Sequence, residues 1–351
     1  MQTAELDERK SRILALIIES YIQTGEPVGS KALAEMLDNC VSSATIRNDM
    51  AALTAAGYLE QPHTSAGRLP TAKAFRLYID RLMHRNPLPE RDRNYIDRVL
   101  AGAAGDPLQL LEDASRALAD ATGYAAVAAQ PEQADSTISR IDVMQMSPRS
   151  MAVVLVPEAG TLRTRMCRCQ RDIPSAVTVA LSDYLSRRFL GRPLSCVTLQ
   201  AMQEILMELG DAGLAVAPIL SAFYELAQEC AASEVMLSGQ LNLLRHPDYE
   251  LDRARSLMGF LSERQKLGEV LSHQPNAGLQ VVLGSDALPE LTGSSMIVTH
   301  YSLGSRGTGT IGIIGPVRMN YADAIPRIEY FANAVGKLLG ELFDDPTDEK
   351  H

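Results

Sequence analysis

Apolar residues near the start of the chain recur with the period of an α-helix. Over Leu6–Thr24 they fall at spacings of one, three and four, which puts them on one helical face. The residues of this stripe are Ile13, Leu14, Ile17, Ile18, Tyr21 and Ile22. Gly25 and Pro27 come next, and a glycine exit with a proline beyond it is typical of a helix end. The pattern predicts a long first helix.

Two shorter helices are predicted directly after the first. Ser30 is suited to cap one of them, and a link at 38–41 follows it. Ser42 is suited to cap the next helix, which runs to Ala56 and stops at Gly57, a residue type favoured in the left-handed conformation at a helix exit. Two short helices joined by a tight link, behind a longer helix, are the pattern of a helix-turn-helix.

The third helix has one apolar face and one small, polar face. Ile46, Met50 and Leu53 fall at i, i+4 and i+7 and face the core. The outward face of the first turns then carries Ser43, Ala44, Thr45, Arg47 and Asn48. Arginine can bond two acceptors of guanine, and asparagine can bond the edge of adenine, in the major groove. A solvated helix face with one arginine and one asparagine is the alternative interpretation.

A hairpin is predicted immediately after this helix. Positions 58–61 and 68–70 favour strands, positions 62–67 favour a turn, and Thr71 is suited to cap a helix that runs through Met83. A hairpin directly after such a helix is a wing. Its predicted tip carries side chains that can contact phosphate, namely His63, Thr64, Ser65 and Arg68. A purely structural hairpin with no partner is the alternative.

Charge is distributed unevenly along the chain. The 351 residues carry a formal net charge of −10, which taken alone speaks against nucleic acid. Positions 43–85, however, hold six Lys or Arg against three Asp or Glu. The positive charge is concentrated at the helix and hairpin just described. No secretory signal and no long apolar stretch is evident, so we expect a cytoplasmic protein that does not insert into a membrane.

The rest of the chain predicts strands, then helices, then strands again. A hinge at 84–93 is followed by helices at 94–104 and 107–123. Strand patterns occur at 137–146, 151–157 and 161–169, and again at 279–284, 295–302 and 309–315. Positions 171–274 between them are mainly helical, and an amphipathic helix covers about 322–343. This order is typical of a segment inserted into one sheet domain.

No arrangement of catalytic or metal-binding residues is evident in the sequence. The six histidines lack metal-ligand spacing, and the five cysteines are odd in number and mostly scattered. Cys167 and Cys169 share one face of a strand, where apolar packing competes with a redox or metal role. The spacing GxGxxG at 307–312 lies at the start of a strand and not of a helix, so we do not expect a dinucleotide site. We expect a protein that is not an enzyme and that has no cofactor.

Several stretches resemble the heat-inducible transcription repressor HrcA family of bacteria. They are Thr24–Lys31, Ser43–Asn48, Pro62–Thr71, Gly309–Tyr321 and the shorter Leu241–Leu244 followed by Pro247. The resemblance spans nearly the whole chain. It implies an α+β multidomain fold, with an N-terminal winged helix-turn-helix and a GAF-like α/β domain that carries an inserted, mainly helical dimerisation domain. On this basis the predicted boundaries are 1–85 for the winged helix, 94–170 with 275–344 for the GAF-like domain, and 171–274 for the insertion.

The resemblance also implies partners and a function. It implies a homodimer that binds a double-stranded inverted-repeat operator upstream of chaperone operons, with activity that depends on an Hsp60-type chaperonin. Arg47 and Asn48 are then expected to read bases. Phosphate contacts are expected from Ser30, Lys31, Thr45, His63, Thr64 and Arg68. A ligand-responsive regulator is the alternative, in which the GAF-like domain senses a small molecule and Arg318 and Tyr321 line its pocket.

Overall fold

The computed structural model describes residues 6–63, 66–102, 106–131, 135–158, 162–272, 278–284, 289–303 and 307–343. The helices within these ranges are α1 Glu8–Thr24, α2 Ser30–Met36, α3 Ser43–Ala55, α4 Ala72–Leu77, α5 Glu90–Ala101, α6 Pro107–Thr122, α7 Ser175–Phe189, α8 Leu199–Leu209, α9 Asp211–Ala231, α10 Leu251–Ser262, α11 Arg264–Ser272 and α12 Tyr321–Phe343. The strands are β1 Leu59–Glu60, β2 Leu69–Pro70, β3 Ala125–Ala129, β4 Ile138–Ser147, β5 Ser150–Pro157, β6 Arg163–Arg168, β7 Val235–Ser238, β8 Gln280–Leu283, β9 Ser294–Ser302 and β10 Thr308–Pro316.

The N-terminal elements form a winged helix, as the sequence predicts. Capping residues define both ends of α1. At the start of the helix the Asp7 side chain accepts a hydrogen bond from the Lys10 amide, and at its end Gly25 has φ +71°. One predicted cap is wrong. Ser30 is the first residue of α2, and Gly29 occupies the cap position without a side-chain hydrogen bond. Helix α4 begins after Thr71, as predicted, and continues as a wider turn through Leu82.

A five-stranded antiparallel sheet forms the centre of the remaining chain. Its strand order is β7–β3–β10–β9–β8. One face packs on α6 and α12, with α5 against these two helices, and the apolar residues of this layer belong to the same core as those of the winged helix. The opposite face packs on α10 and α11, with side chains such as Leu257 and Phe260 against Val127 and Val298. We call this body the sheet unit.

The insertion differs from the prediction because it contains a sheet of its own. Strands β4, β5 and β6 pair only with one another among the strands that the structure describes. Their inner face, which includes Val143, Val153 and Leu155, packs on α7 and α9 in a separate apolar core. The inserted unit is therefore Ile138–Ala231, and the predicted assignment of 137–169 to the GAF-like sheet and of 232–274 to the insertion is corrected.

Two strands of the sheet unit have no clear sequence signal. Strand β3 consists of four alanines and one valine, a composition with weak strand preference, and yet all five residues are buried. Strand β7 has four residues and lies within a stretch that otherwise predicts helix. Each finds its place only by pairing, since β3 lies between β10 and β7. Over the described ranges, no helix combines the length and apolar character that crossing a membrane requires.

Candidate nucleic-acid interface

Helix α3 presents the side chains expected of a helix that reads bases. Its N-terminus is fixed by Ser42, whose hydroxyl accepts a hydrogen bond of 3.2 Å from the Thr45 amide. Ile46, Met50 and Leu53 are buried, as predicted from their spacing. Because that face is buried, the opposite side of the first turns points away from the core. Ala44, Arg47 and Asn48 are exposed there.

The hydroxyl groups near the start of α3 are partly engaged within the protein. Ser43 Oγ lies 3.3 Å from Ser30 Oγ, which links the first turns of α3 and α2. Thr45 Oγ1 lies 2.9 Å from Ser42 Oγ. A hydroxyl can donate one hydrogen bond and accept two, so both residues retain capacity for a further partner. Ser30 and Ser43 therefore hold the two helices together at the surface where Arg47 projects, while Thr45 and Ser42 fix the start of α3.

The link between α2 and α3 is a tight turn built on two left-handed residues. Asp38 has φ +51° and Asn39 has φ +55°. Aspartate and asparagine are among the few residues with a side chain that adopt this conformation readily. The Asn39 amide donates to the Ala34 carbonyl at 2.8 Å, which closes the end of α2. This turn sets the angle between the two helices. It forms here because Asp38 and Asn39 tolerate the left-handed conformation that it requires.

An ion pair between the buried Asp49 and the half-exposed Arg9 joins α3 to α1, and the sequence did not predict it. Asp49 is 5% exposed. Its carboxylate accepts two hydrogen bonds from Arg9, from Nε at 2.8 Å and from Nη2 at 3.0 Å. Such a two-point contact fixes both distance and orientation. Arg9 also neutralises the one acidic side chain of α3, on the helix that is proposed below to approach phosphate.

The returning side of the wing is attached to the segment between α1 and α2. Strands β1 and β2 pair antiparallel, and Arg68 just before β2 pairs with Val28 through backbone hydrogen bonds of 2.9 and 3.0 Å. Gly67 permits this approach, because a Cβ atom there would lie 2.5 Å from the Val28 carbonyl oxygen. Arg68 lies on the loop side of the β1–β2 ladder, directly before Leu69, and its backbone is held against Val28. Its Nε is buried and has no hydrogen-bond partner within the described part of the chain.

The structure describes some of the other residues that are predicted to contact phosphate, but not all of them. Lys31 in the first turn of α2 is exposed, and so is His63, three residues after β1. Thr64 and Ser65 lie outside the described residues. The Ala66 amide donates to the His63 carbonyl at 2.9 Å. Among the described residues of the predicted set, the exposed polar side chains are those of Lys31, Arg47, Asn48 and His63.

Contacts behind the wing secure the far end of α3. Lys73 Nζ donates to the Ala56 carbonyl at 2.8 Å and lies 4.4 Å from the centre of the Tyr58 ring. Thr71 Oγ1 donates to the Gly57 carbonyl at 2.8 Å. The chain between α3 and β1 is therefore bonded to the start of α4. Lys73 is a structural cation, although its exposure and charge would also suit a contact with DNA.

The residues suggested for a small-molecule pocket have other roles. Tyr321 is completely buried, and its hydroxyl donates to the Val317 carbonyl at 2.6 Å. Arg318 bonds Asp248 and the Ile22 carbonyl, so its guanidinium lies between the winged helix and the sheet unit. The glycines at 307–312 are at the start of β10, where a Cβ on Gly309 would meet the Tyr301 side chain at 2.2 Å. Close packing explains that glycine, in agreement with the expectation that it belongs to a strand.

The cysteine pair on β6 is arranged for packing. Cys167 lies opposite Met151 on the central strand, and Cys169 is buried just beyond β6. Burial raises the pKa of the Cys167 thiol to about 11, which keeps it protonated and poorly reactive at neutral pH. Within the described ranges, no group of three or more His, Cys, Asp or Glu side chains is placed to hold a metal ion.

Two family profiles match the chain. Residues 5–82 match the profile described as winged helix-turn-helix transcription repressor, HrcA DNA-binding. Residues 108–325 match the profile described as HrcA protein C terminal domain. The first match contains α3 and the wing, and the second contains the whole inserted unit and all five strands of the sheet unit.

Individual proteins match over the same length. A protein of Acetivibrio thermocellus named heat-inducible transcription repressor HrcA is 33% identical over 344 residues, which cover 96% of this chain and 98% of the relative. A protein of Geobacter sulfurreducens with the same name is 34% identical over 340 residues, with coverage of 95% and 98%. A crystal structure described only as that of a hypothetical protein aligns with a TM-score of 0.62 and 23% identity, and covers 96% of this chain and 100% of its own. That likeness extends the shared fold across all three bodies.

Proposed function

The chain belongs to the heat-inducible transcription repressor HrcA family, and we propose that it represses chaperone operons by binding an inverted-repeat operator as a homodimer. The observation that carries this proposal is the outward face of α3, where Arg47 and Asn48 are exposed beside small residues. Small side chains allow a helix to approach the floor of the major groove closely. The role is regulatory rather than catalytic.

In this mechanism base contacts and phosphate contacts have different tasks. Arg47 bonds guanine and Asn48 bonds adenine, and these two contacts supply sequence specificity. The remaining residues fix the register of the protein on the DNA backbone. They are Ser30, Lys31, Thr45, His63, Thr64, Ser65 and Arg68, while Ser43 and Ala44 line the contact surface. Because the Arg68 backbone pairs with Val28, its task is to contact the phosphate nearest the loop between α1 and α2.

We propose that the dimer forms through the outer face of the β4–β5–β6 sheet in the inserted unit. Met144 and Met166 lie on the same face, since both are directly opposite Ala152 on the central strand. They are 47% and 58% exposed, and Met146 next to them is 62% exposed. A cluster of exposed methionines on a sheet is suited to a protein interface, because flexible apolar side chains repack against a partner. A dimer presents two α3 helices, as an inverted repeat requires.

In this mechanism heat acts by lowering the stability of the folded repressor. A loss of about 1–2 kcal/mol in folding free energy can change the active amount of a marginally stable protein several-fold. We propose that an Hsp60-type chaperonin restores the active fold, so that heat, which engages the chaperonin with other clients, lifts repression. This places the protein in the cytoplasm, together with the bacterial chromosome.

Recovery of operator binding after mild heating tests the chaperonin requirement. We expect recovery to be substantially greater with chaperonin and ATP than with ATP alone. Equal recovery in both samples would rule the requirement out while leaving the DNA-binding proposal intact.

Selection of DNA from a random pool tests the main proposal. The full chain is incubated with random-sequence duplexes, and bound molecules are recovered and sequenced over several rounds. We expect two inverted half-sites whose centres are one or more helical turns of about 10 base pairs apart. The matched control is the Arg47→Ala/Asn48→Ala chain, which is expected to enrich no such repeat. A single unrepeated motif, or no enrichment, would contradict the proposal.

A further inference from the structure

Three segments far apart in sequence meet at one side chain. Arg318 follows β10, and its Nη1 donates to the carbonyl of Ile22 near the end of α1 at 3.0 Å. Its Nε donates to Asp248, which lies between the 3₁₀ turn after β7 and helix α10. The guanidinium also lies against Gly25, where a Cβ would be 3.2 Å from the Arg318 Cζ atom. The winged helix and the sheet unit are therefore joined through one arginine.

This contact is largely shielded from solvent. The side chains of Arg318 and Asp248 are 14% and 19% exposed. Asp248 Oδ2 is buried and has no hydrogen-bond partner among the residues that the structure describes. A desolvated ion pair adds little net stability over an apolar contact, but it is costly to break from one side only. The Arg318–Asp248 pair is therefore better suited to orienting the winged helix on the sheet unit than to holding the two together.

Apolar packing supplies the adhesion at a neighbouring point. Phe75 of α4 contacts Tyr321 at the start of α12, with ring centres 6.1 Å apart. Arg76 Nη1 donates to the Val281 carbonyl at 2.6 Å. Apolar contacts are not directional, whereas a planar guanidinium bonds its acceptors only at defined angles. Removal of Arg318 would leave the two bodies in contact through this packing and the Arg76 bond, but without a directional contact at the end of α1.

The arginine acts close to the DNA-reading elements. Gly25 lies just before Val28, which pairs with Arg68 on the returning side of the wing. Helix α2 begins at Ser30, directly after this pairing. A change of angle at Gly25 would therefore move the wing and both helices of the helix-turn-helix as one body.

We propose that Arg318, together with Asp248, is a positioning residue for DNA binding. It sets the direction of the winged helix on the sheet unit, and so it sets the separation of the two α3 helices in a dimer. The inference rests on the proposed function, because separation has meaning only for a dimer on a repeat. It concerns the spacing between half-sites and not the reading of each one.

Half-site and full-site binding distinguish this role from a general effect on stability. The probes are the inverted repeat selected by the wild-type chain, the same duplex with one half scrambled, and duplexes with the spacer changed by one to three base pairs. The variants are Arg318→Met and the double variant Arg318→Met/Asp248→Asn, which leaves no unpaired buried charge and guards against misfolding. The matched control is Arg85→Ala, because Arg85 joins the segment after the wing to Glu329 of α12 through an exposed ion pair.

For the wild-type chain we expect the full repeat to bind at least about 100-fold more tightly than the single half-site, as two linked contacts do. Both Arg318 variants are expected to bind the half-site within about threefold of wild type, while the full-site advantage falls about tenfold or more and the spacer preference broadens. Arg85→Ala is expected to behave as wild type.

Equal losses on half-site and full site would overturn the inference, and so would an unchanged spacer preference. If the wild-type chain itself showed no advantage on the full repeat, the proposed function would fail first. These two failures are therefore distinguishable.

Discussion

At the scale of single residues, the contact of Asp49 with Arg9 fixes the orientation of α3 relative to α1. It is adjacent to Asn48 in sequence but points to the opposite side, where Arg9 contacts both of its oxygens. An isolated carboxylate buried in this helix would be costly, and on a surface that approaches phosphate it would repel DNA. Arg9 removes both problems without itself lying on α3.

Replacing Arg9 by alanine is expected to weaken binding to the selected operator without changing its salt dependence. The orientation of α3 is lost but no phosphate contact is removed. We expect affinity to fall by roughly three- to tenfold, the range for losing one hydrogen-bonded contact. The slope of log affinity against log salt concentration, measured by fluorescence anisotropy, is expected to stay unchanged. Lys10→Ala is the control, because Lys10 pairs only with the exposed Asp7 on the same helix surface. A slope lower by about 0.9 would instead make Arg9 a phosphate contact.

Sequence reasoning was sufficient for the parts of the interface that depend on local chemistry. The spacing of Ile46, Met50 and Leu53 correctly gives the buried face of α3, and Ser42 correctly gives its cap. The position of Asp49, three residues after Ile46, also indicates that its side chain lies near the core. Its partner could not be predicted, because Arg9 is 40 residues away and only the packing of α1 against α3 brings it near.

At the scale of secondary-structure elements, the strands of the inserted unit illustrate a different limit. Their alternation predicts β4, β5 and β6 individually, and the structure confirms that these strands exist. Alternation does not specify which sheet a strand joins, since any sheet with a buried face satisfies it. The short turn between Ser147 and Ser150 decides the pairing, because it leaves β4 and β5 antiparallel and adjacent.

The outer face of this sheet predicts the behaviour of a charged variant. Met144→Glu/Met166→Glu places two like charges on the proposed dimer interface, where burial of an unpaired carboxylate is unfavourable. We expect a folded monomer by analytical ultracentrifugation, at concentrations where the wild-type chain is a dimer. Met207→Glu is the matched control, since Met207 is 82% exposed on α8, away from that sheet face. A dimer that survives the double substitution would move the interface elsewhere.

At the scale of the whole molecule, the apolar cores do not follow the domain boundaries expected from sequence. The winged helix and one face of the sheet unit share a continuous core, which includes Leu14, Phe75 and Phe331. The inserted unit has its own core around Leu185 and Phe223. Long-range packing of this kind leaves no local sequence pattern, which is why a hinge at 84–93 suggested more independence for the winged helix than the structure gives it.

Separate cores predict separate unfolding transitions in calorimetry. Leu14→Ala and Leu185→Ala each remove a completely buried leucine, at a cost of about 2–5 kcal/mol. We expect Leu14→Ala to lower the transition of the winged helix and sheet unit together, and Leu185→Ala to lower that of the inserted unit. A single transition that both substitutions shift alike would indicate one cooperative body instead.

The central claim is that Arg47 reads a base. The most direct test combines substitutions at this residue with substitutions in the DNA. The affinities of the wild-type, Arg47→Ala and Lys31→Ala chains are compared on the selected operator and on duplexes with each base pair of one half-site changed in turn, at fixed salt. Arg47→Ala is expected to cost about 1–3 kcal/mol on the selected operator and to abolish discrimination at one base pair. Lys31→Ala is expected to weaken every duplex by a similar factor and to leave discrimination intact. If Arg47→Ala left both affinity and discrimination unchanged, α3 would not be the element that reads the DNA.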